Sequence, residues 1–139
     1  MNRQDAKSAK RTEPSQEADR RAHDVIGAAI EVHRILGPGF LESVYEEAVC
    51  VELKLRGISF ARQTTKDIIY KGVLVGQHRQ DLLVGDALVV ELKAVDQIAP
   101  IFVATTISYL KATGQQLALL INFNVPVLKD GIKRIVLSQ

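Results

Sequence analysis

One tetrapeptide occurs twice in this chain of 139 residues: Val51-Glu52-Leu53-Lys54 and Val90-Glu91-Leu92-Lys93. A carboxylate and an ammonium two residues apart can act together only where the backbone aims them the same way. On a helix, residues two apart diverge by about 200°. On a strand they share a face. The first copy falls in a helical pattern and reads as a solvated surface. The second falls in a β-branched run, where Glu91 and Lys93 stand side by side with Leu92 in the core behind them. Asp81 lies on the preceding strand. Two carboxylates facing each other across a hairpin can hold a divalent cation through oxygen ligands. A lysine beside them can orient a water or offset negative charge on a phosphate. That set is what metal-assisted phosphodiester hydrolysis requires.

Parity decides whether the set converges. Residues directly opposite in an antiparallel pair share a face. A two-residue loop at 85–86 pairs Asp81 with Val90 and turns it away from Glu91. A three-residue loop, Gly85-Asp86-Ala87, pairs Asp81 with Glu91. The site therefore requires an odd loop or a bulge, and Gly85 makes either feasible. Without one, the triplet is an ordinary surface ion pair.

Glu42 follows Gly39 in the first turn of a second helix, where the helix dipole favours an anion. It is either a helix-start residue or a further metal or water ligand. Tyr45, three residues on, shares its face and by itself reads as a core aromatic. His23, His33 and His78 lack metal-ligand spacing, and His33 falls on the core side of its helix. No glycine-rich phosphate loop joins a strand to a helix. Ser43 and Cys50 have no activating partners, so nucleophilic catalysis is unsupported.

The elements that position these residues follow from periodicity. Val25, Ile26, Ala29, Ile30, His33 and Leu36 recur at helical spacing over 22–36. Gly37-Pro38-Gly39 stops that helix, and a second runs over about 40–56, so the two form a hairpin. Strands are expected at about 59–63, 67–75, 78–84 and 87–93. A helix over 98–113, with Pro100 in its first turn, is apolar on more than one face. It is therefore expected to be buried by its own sheet and by something else. Residues 117–123 are a continuous apolar run, as in a strand buried on both faces. A short strand at Ile132–Leu137 ends the chain. The order predicts an α/β or α+β sheet with helices packed on it.

Composition bounds the rest. Apolar residues make up 47% and charged residues 24% of the chain, which suits one globular domain. Residues 1–21 read as a disordered basic arm and 22–139 as a single domain. Residues 1–22 carry six basic and four acidic side chains, which accounts for the whole net charge of +2. A neutral body argues only weakly for nucleic acid by charge alone. No apolar window is long enough to span a membrane. The polar N-terminus lacks a secretory pattern, and Cys50 is the single cysteine. A cytoplasmic, reducing compartment is the expectation.

Several segments together resemble the GxxExxY proteins. Gly39-Phe40-Leu41-Glu42-Ser43-Val44-Tyr45 matches the signature that names them, and Ala28-Ala29-Ile30-Glu31-Val32-His33 matches its lead-in. Asp81-Leu82-Leu83-Val84, Glu91-Leu92-Lys93-Ala94, Tyr109-Leu110-Lys111-Ala112-Thr113, Leu120-Ile121-Asn122-Phe123 and Lys129-Asp130-Gly131-Ile132-Lys133-Arg134 extend the resemblance over about 22–137. That family is grouped with the PD-(D/E)xK nuclease-like superfamily. The resemblance implies a restriction-endonuclease-like core, a mixed central sheet flanked by helices. It carries Asp81, Glu91 and Lys93 onto the superfamily's metal-and-water site and Glu42 onto its helix carboxylate. Tyr45 enters as an accessory residue without an assigned role. The implied activity is a Mg²⁺- or Mn²⁺-dependent nuclease acting on nucleic acid, with DNA as the expected substrate. Asp81, Glu91 and Glu42 are the expected metal ligands, with the Leu92 carbonyl as a further candidate. One departure stands out: the helix after the E-x-K strand carries Phe102 and Thr105 where the family usually has histidine and glutamine. That departure supports a second reading, an inactive nucleic-acid-binding or assembly module. In that reading the apolar surface at Phe102 and Val103 marks a homodimer through the 98–113 helix.

Overall fold

The computed structural model describes residues 15–137. Helix α1 spans Gln16–Leu36, and its N-terminus is fixed by Ser15, whose Oγ accepts a hydrogen bond from the Ala18 amide at 3.0 Å. Glu17 and Asp19 in its first turn complement the helix dipole. Residues 16–21, expected in the disordered arm, are thus helical. Ala18 and Ala22 are buried there, so the small side chains that look featureless in sequence let the helix lie close to the core. The rest of the expected arm, residues 1–14, lies outside the described residues. After the turn at Gly37, helix α2 spans Glu42–Leu55 and packs on α1 as the expected hairpin.

Five strands follow: β1 (Phe60–Tyr70), β2 (Val73–Val84), β3 (Leu88–Lys93), β4 (Leu117–Asn122) and β5 (Ile132–Val136). They lie in that order across one sheet, antiparallel except for the β3–β4 pair, which is parallel. Helix α3 (Pro100–Thr113) makes the crossover that a parallel pair needs. It begins with Pro100 at its first position and ends at Gly114, whose φ of 73° is left-handed. The strand expected at 67–75 does not exist as one element. The chain reverses at Lys71-Gly72, both at positive φ, and Tyr70 pairs with Val73. That is a two-residue hairpin turn whose twist matches its strands.

The sheet has a core on each face. Against α1 and α2 lie Leu82, Val84, Leu88, Val90, Leu92, Leu117, Leu119 and Ile121. Against α3 lie Leu83, Val89, Ala118, Leu120 and Ile135, joined by Leu110. All six residues of β4 are buried, as expected of a strand covered on both sides. This is the mixed, helix-flanked sheet of a restriction-endonuclease-like fold. The expectation that α3 is covered on two faces is not met within the described chain. Only Leu110 of α3 is fully buried, while Ile101 and Ile107 are exposed.

Candidate active site

The site forms where β2 and β3 part. Their ladder pairs Leu82, Leu83 and Val84 with Val90, Val89 and Leu88. The connecting loop is therefore Gly85-Asp86-Ala87, the odd length that parity demands. Gly85 and Asp86 both take left-handed φ values, 60° and 59°, and the Ala87 amide donates to the Val84 carbonyl at 3.2 Å. Continued by one step, this register sets Asp81 opposite Glu91. There the backbone ladder stops. The Leu92 amide donates instead to Oδ2 of Asp81 at 2.9 Å. The N–H and C=O of one strand residue point to the same edge, so the Leu92 carbonyl opens into the same gap.

A second irregularity shapes the gap. The β1–β2 register passes from Arg62–Leu82 to Thr64–Gln80, skipping Gln63 and Asp81, and Gln63 sits at φ 51°. Strict alternation would send Gln80 with Leu82 toward α1 and α2. Gln80 is instead on the α3 side, where its Nε2 donates to Oε1 of Gln115 at 2.5 Å. His78 comes with it and stacks on Tyr109 of α3, ring centroids 3.8 Å apart and 11° from parallel. His78, Gln80, Glu91, Lys93, Phe102 and Tyr109 are among the residues lining a cavity of about 80 Å³ between the sheet and α3.

The electrostatics centre on Glu91. Its Oε1 is buried and has no hydrogen-bond partner. The nearest counter-group is Nε2 of His78, 3.6 Å away, too far for a hydrogen bond. Burial, reinforced by the neighbouring Asp81 and only partly opposed by Lys93, pushes the Glu91 carboxyl up to about 8. Burial also holds His78 below the usual imidazole range, with Asp81 partly opposing. Lys93 lies on the same face as Glu91, its Nζ 4.8 Å from the centroid of the Phe102 ring. Asn122, buried at the end of β4, holds the chain just past Lys93. Its Oδ1 accepts from the Val95 amide at 3.0 Å and its Nδ2 donates to the Val95 carbonyl at 2.8 Å.

Glu42 and Tyr45 share the start of α2 but face different surroundings. Glu42 is an exposed residue in the first turn of α2. Partial desolvation raises its carboxyl, Lys93 opposes, and Asp81 and Glu46 raise it further. It stands at the rim, within the field of the site. Among the described residues, no three carboxylate, imidazole or thiolate side chains form a preassembled metal cluster. Tyr45 is fully buried against Phe123, rings 4.5 Å apart and 10° from parallel. Its hydroxyl donates to the Gly37 carbonyl at 2.6 Å and accepts from the Phe40 amide at 3.2 Å. It fastens the turn from which Glu42 emerges.

His33 is the structural histidine its position suggested, with Nε2 donating to the Val125 carbonyl at 2.8 Å. Burial raises the Cys50 thiol away from thiolate character. His78 and Asn122 were not singled out by sequence reasoning. Parity itself hides His78: three residues from Asp81, it belongs to the opposite face in any regular strand. Only the break at Gln63 and Asp81 brings it across.

No helix among the described residues is long and apolar enough to cross a membrane. Comparison with curated proteins and with solved structures returned no match. Comparison with protein families matches the PD-(D/E)XK nuclease superfamily over residues 19–135, from the first turns of α1 to the last strand. With the E-x-K strand, the aspartate opposite it and the mixed sheet that joins them, the chain belongs to the PD-(D/E)XK nuclease superfamily.

Proposed function

We propose that this protein is a divalent-metal-dependent nuclease of the GxxExxY type that hydrolyses phosphodiester bonds in DNA, in the cytoplasm. The observation that carries the reading is Oε1 of Glu91, a buried carboxylate oxygen left without a partner beside a second carboxylate. A polar atom so placed is costly unless something satisfies it, and an all-oxygen pair suits a hard cation such as Mg²⁺ or Mn²⁺. Asp81 and Glu91 would hold the ion, with the Leu92 carbonyl facing the same gap and Glu42 reaching in from the rim. When bound, such an ion lowers the pKa of a water and stabilises charge on the leaving oxygen. Lys93 orients the attacking water and offsets charge on the scissile phosphate. Asp81, fixed by the Leu92 amide, keeps the two strands in register at the point of reaction.

The second reading, an inactive binding or assembly module, is favoured by one observation. The Lys93 ammonium rests over Phe102, on a helix whose Phe102 and Val103, the expected interface, pack inward against the sheet, while Ile101 and Ile107 remain exposed and would pair in a homodimer. Calorimetric titration of Mn²⁺ into the parent, Asp81→Ala and Glu91→Ala separates the two. The nuclease reading expects one site in the parent, lost in both variants, and cleavage of a DNA panel with Mn²⁺. Absence of binding in the parent, even with a DNA oligomer present, overturns it.

A further inference from the structure

The cavity between β2, β3 and α3 contains more polar chemistry than the Asp81, Glu91 and Lys93 set uses. Its walls include Val89, Phe102, Leu110 and Leu120, so each polar group in it must find a partner. Gln80 has Gln115, and the Thr106 hydroxyl donates to the Phe102 carbonyl at 2.8 Å. Lys93 lies over the Phe102 ring. Oε1 of Glu91 is left over, and Nε2 of His78 faces it at 3.6 Å. This is too long for a hydrogen bond and too short for an intervening water bonded to both. It does suit two donors on one ion. Adjacent ligands of an octahedral ion with bonds of about 2.0–2.1 Å stand roughly 3 Å apart, so a closing shift of about half an ångström seats one between them. The imidazole is also held in place by its stack on Tyr109, which fixes the plane of the ring.

We propose that His78 is a nitrogen ligand of the divalent ion at this site, sharing it with Oε1 of Glu91, and that it makes the site select Mn²⁺ over Mg²⁺. The proposal rests on the metal-site reading above and adds a ligand to it. Asp81, which neighbours the Glu91 carboxylate, and water supply the remaining positions. The selectivity follows from the donor. Mg²⁺ takes oxygen ligands, whereas an imidazole nitrogen suits later first-row ions, and Mn²⁺ accepts both. His78 therefore contributes to Mn²⁺ binding and adds little for Mg²⁺.

The test uses the full chain, free of any histidine tag, in the parent, His78→Phe and Glu91→Ala forms. His78→Phe keeps a ring on Tyr109 and removes both nitrogens. Calorimetry with Mn²⁺ and with Mg²⁺ gives affinities, and pulsed electron paramagnetic resonance of bound Mn²⁺ reads directly coordinated nitrogen. The expected result is a nitrogen coupling in the parent that changes on ¹⁵N-histidine labelling and is absent from His78→Phe. Mn²⁺ affinity falls about tenfold or more in that variant, while Mg²⁺ affinity holds. The labelled parent answers the question even where His78→Phe fails to fold. Mn²⁺ bound without nitrogen coupling overturns the proposal, as does an equal loss of both affinities. If that bound Mn²⁺ is still lost in Glu91→Ala, the nuclease reading stands and only the role of His78 fails. A parent that binds no Mn²⁺ sinks both.

Discussion

In α2, Leu53 is fully buried, Glu52 turns along the helix to bond Arg56 at 2.7 Å, and Lys54 is exposed. In β3, Leu92 is equally buried, but Glu91 and Lys93 share the α3 face, and Glu91 keeps a buried oxygen without a partner. The two segments have the same four residue types in the same order. Their leucines do the same work, since a buried leucine contributes about 1.5–3 kcal/mol wherever it is covered. Their charges do not. The helix spreads Glu52 and Lys54 around its axis and gives each solvent or a flexible neighbour. The strand concentrates Glu91 and Lys93 where solvent is scarce. A site of this kind therefore arises from a common local sequence placed on the right period, opposite the right aspartate.

Substitutions at four positions test that comparison. The largest contrast is in the glutamates. Glu91→Ala is expected to abolish Mn²⁺ binding and slow any hydrolysis by at least about 10²–10³-fold, the range for removing a group at the point of charge development. Glu52→Ala is expected to leave both unchanged, as calorimetry and a cleavage assay would show. A comparable loss from Glu52→Ala would break the comparison. The leucines should not differ: Leu53→Ala and Leu92→Ala are each expected to cost about 2–5 kcal/mol in urea unfolding, because both side chains are fully enclosed.

The next effect is a pH dependence confined to the strand copy. The folded-state value of Glu91, about 8, lies above its ordinary value of 4.5, so the folded protein binds more protons than the unfolded chain between these limits. Stability from this group is present below about pH 4.5 and is lost as pH rises through about 8. Glu91→Gln, which cannot ionise, should melt with the parent at pH 5 and above it at pH 9, by about 1–3 kcal/mol after allowance for residual solvent screening. Equal melting at both pH values would show that Glu91 ionises freely. The smallest effect is Glu52→Gln, expected within about 0.5 kcal/mol of the parent in the same assay, since its pair with Arg56 is at the surface.

Much of this architecture could be read from residue patterns, and the failures have definite causes. The alternation and length of 87–93, the apolar run at 117–123 and the glycine stops report burial directly, and those elements came out in place. The loop at Gly85-Asp86-Ala87 was inferred from what the carboxylates need to meet. The reversal at Lys71-Gly72 was missed because β-branched and apolar residues flank it on both sides. The first turns of α1 were missed because alanines bury a helix without an apolar signal of their own. Within the site, Asp81, Glu91 and Lys93 were accessible through parity and His78 was not, since it depends on a break in parity. Tyr45 shares a helix face with Glu42, but spacing does not tell which atom its hydroxyl will reach.

The departure of β2 from β3 at Asp81 has a consequence for local opening. Beyond His78, whose ring is stacked on α3, toward the Lys71-Gly72 turn β1 and β2 pair only with each other, and an isolated two-stranded ribbon is marginal in water. Amide hydrogens of that ribbon therefore exchange through local excursions. Those of Leu82, Leu83 and Val84, in the middle of the sheet, exchange only when the whole domain comes apart. Asp81 lies near the seam between these two regimes, with Leu82 anchored in the most persistent part of the fold and Gln80 and His78, clamped to α3, standing between it and the part that breathes.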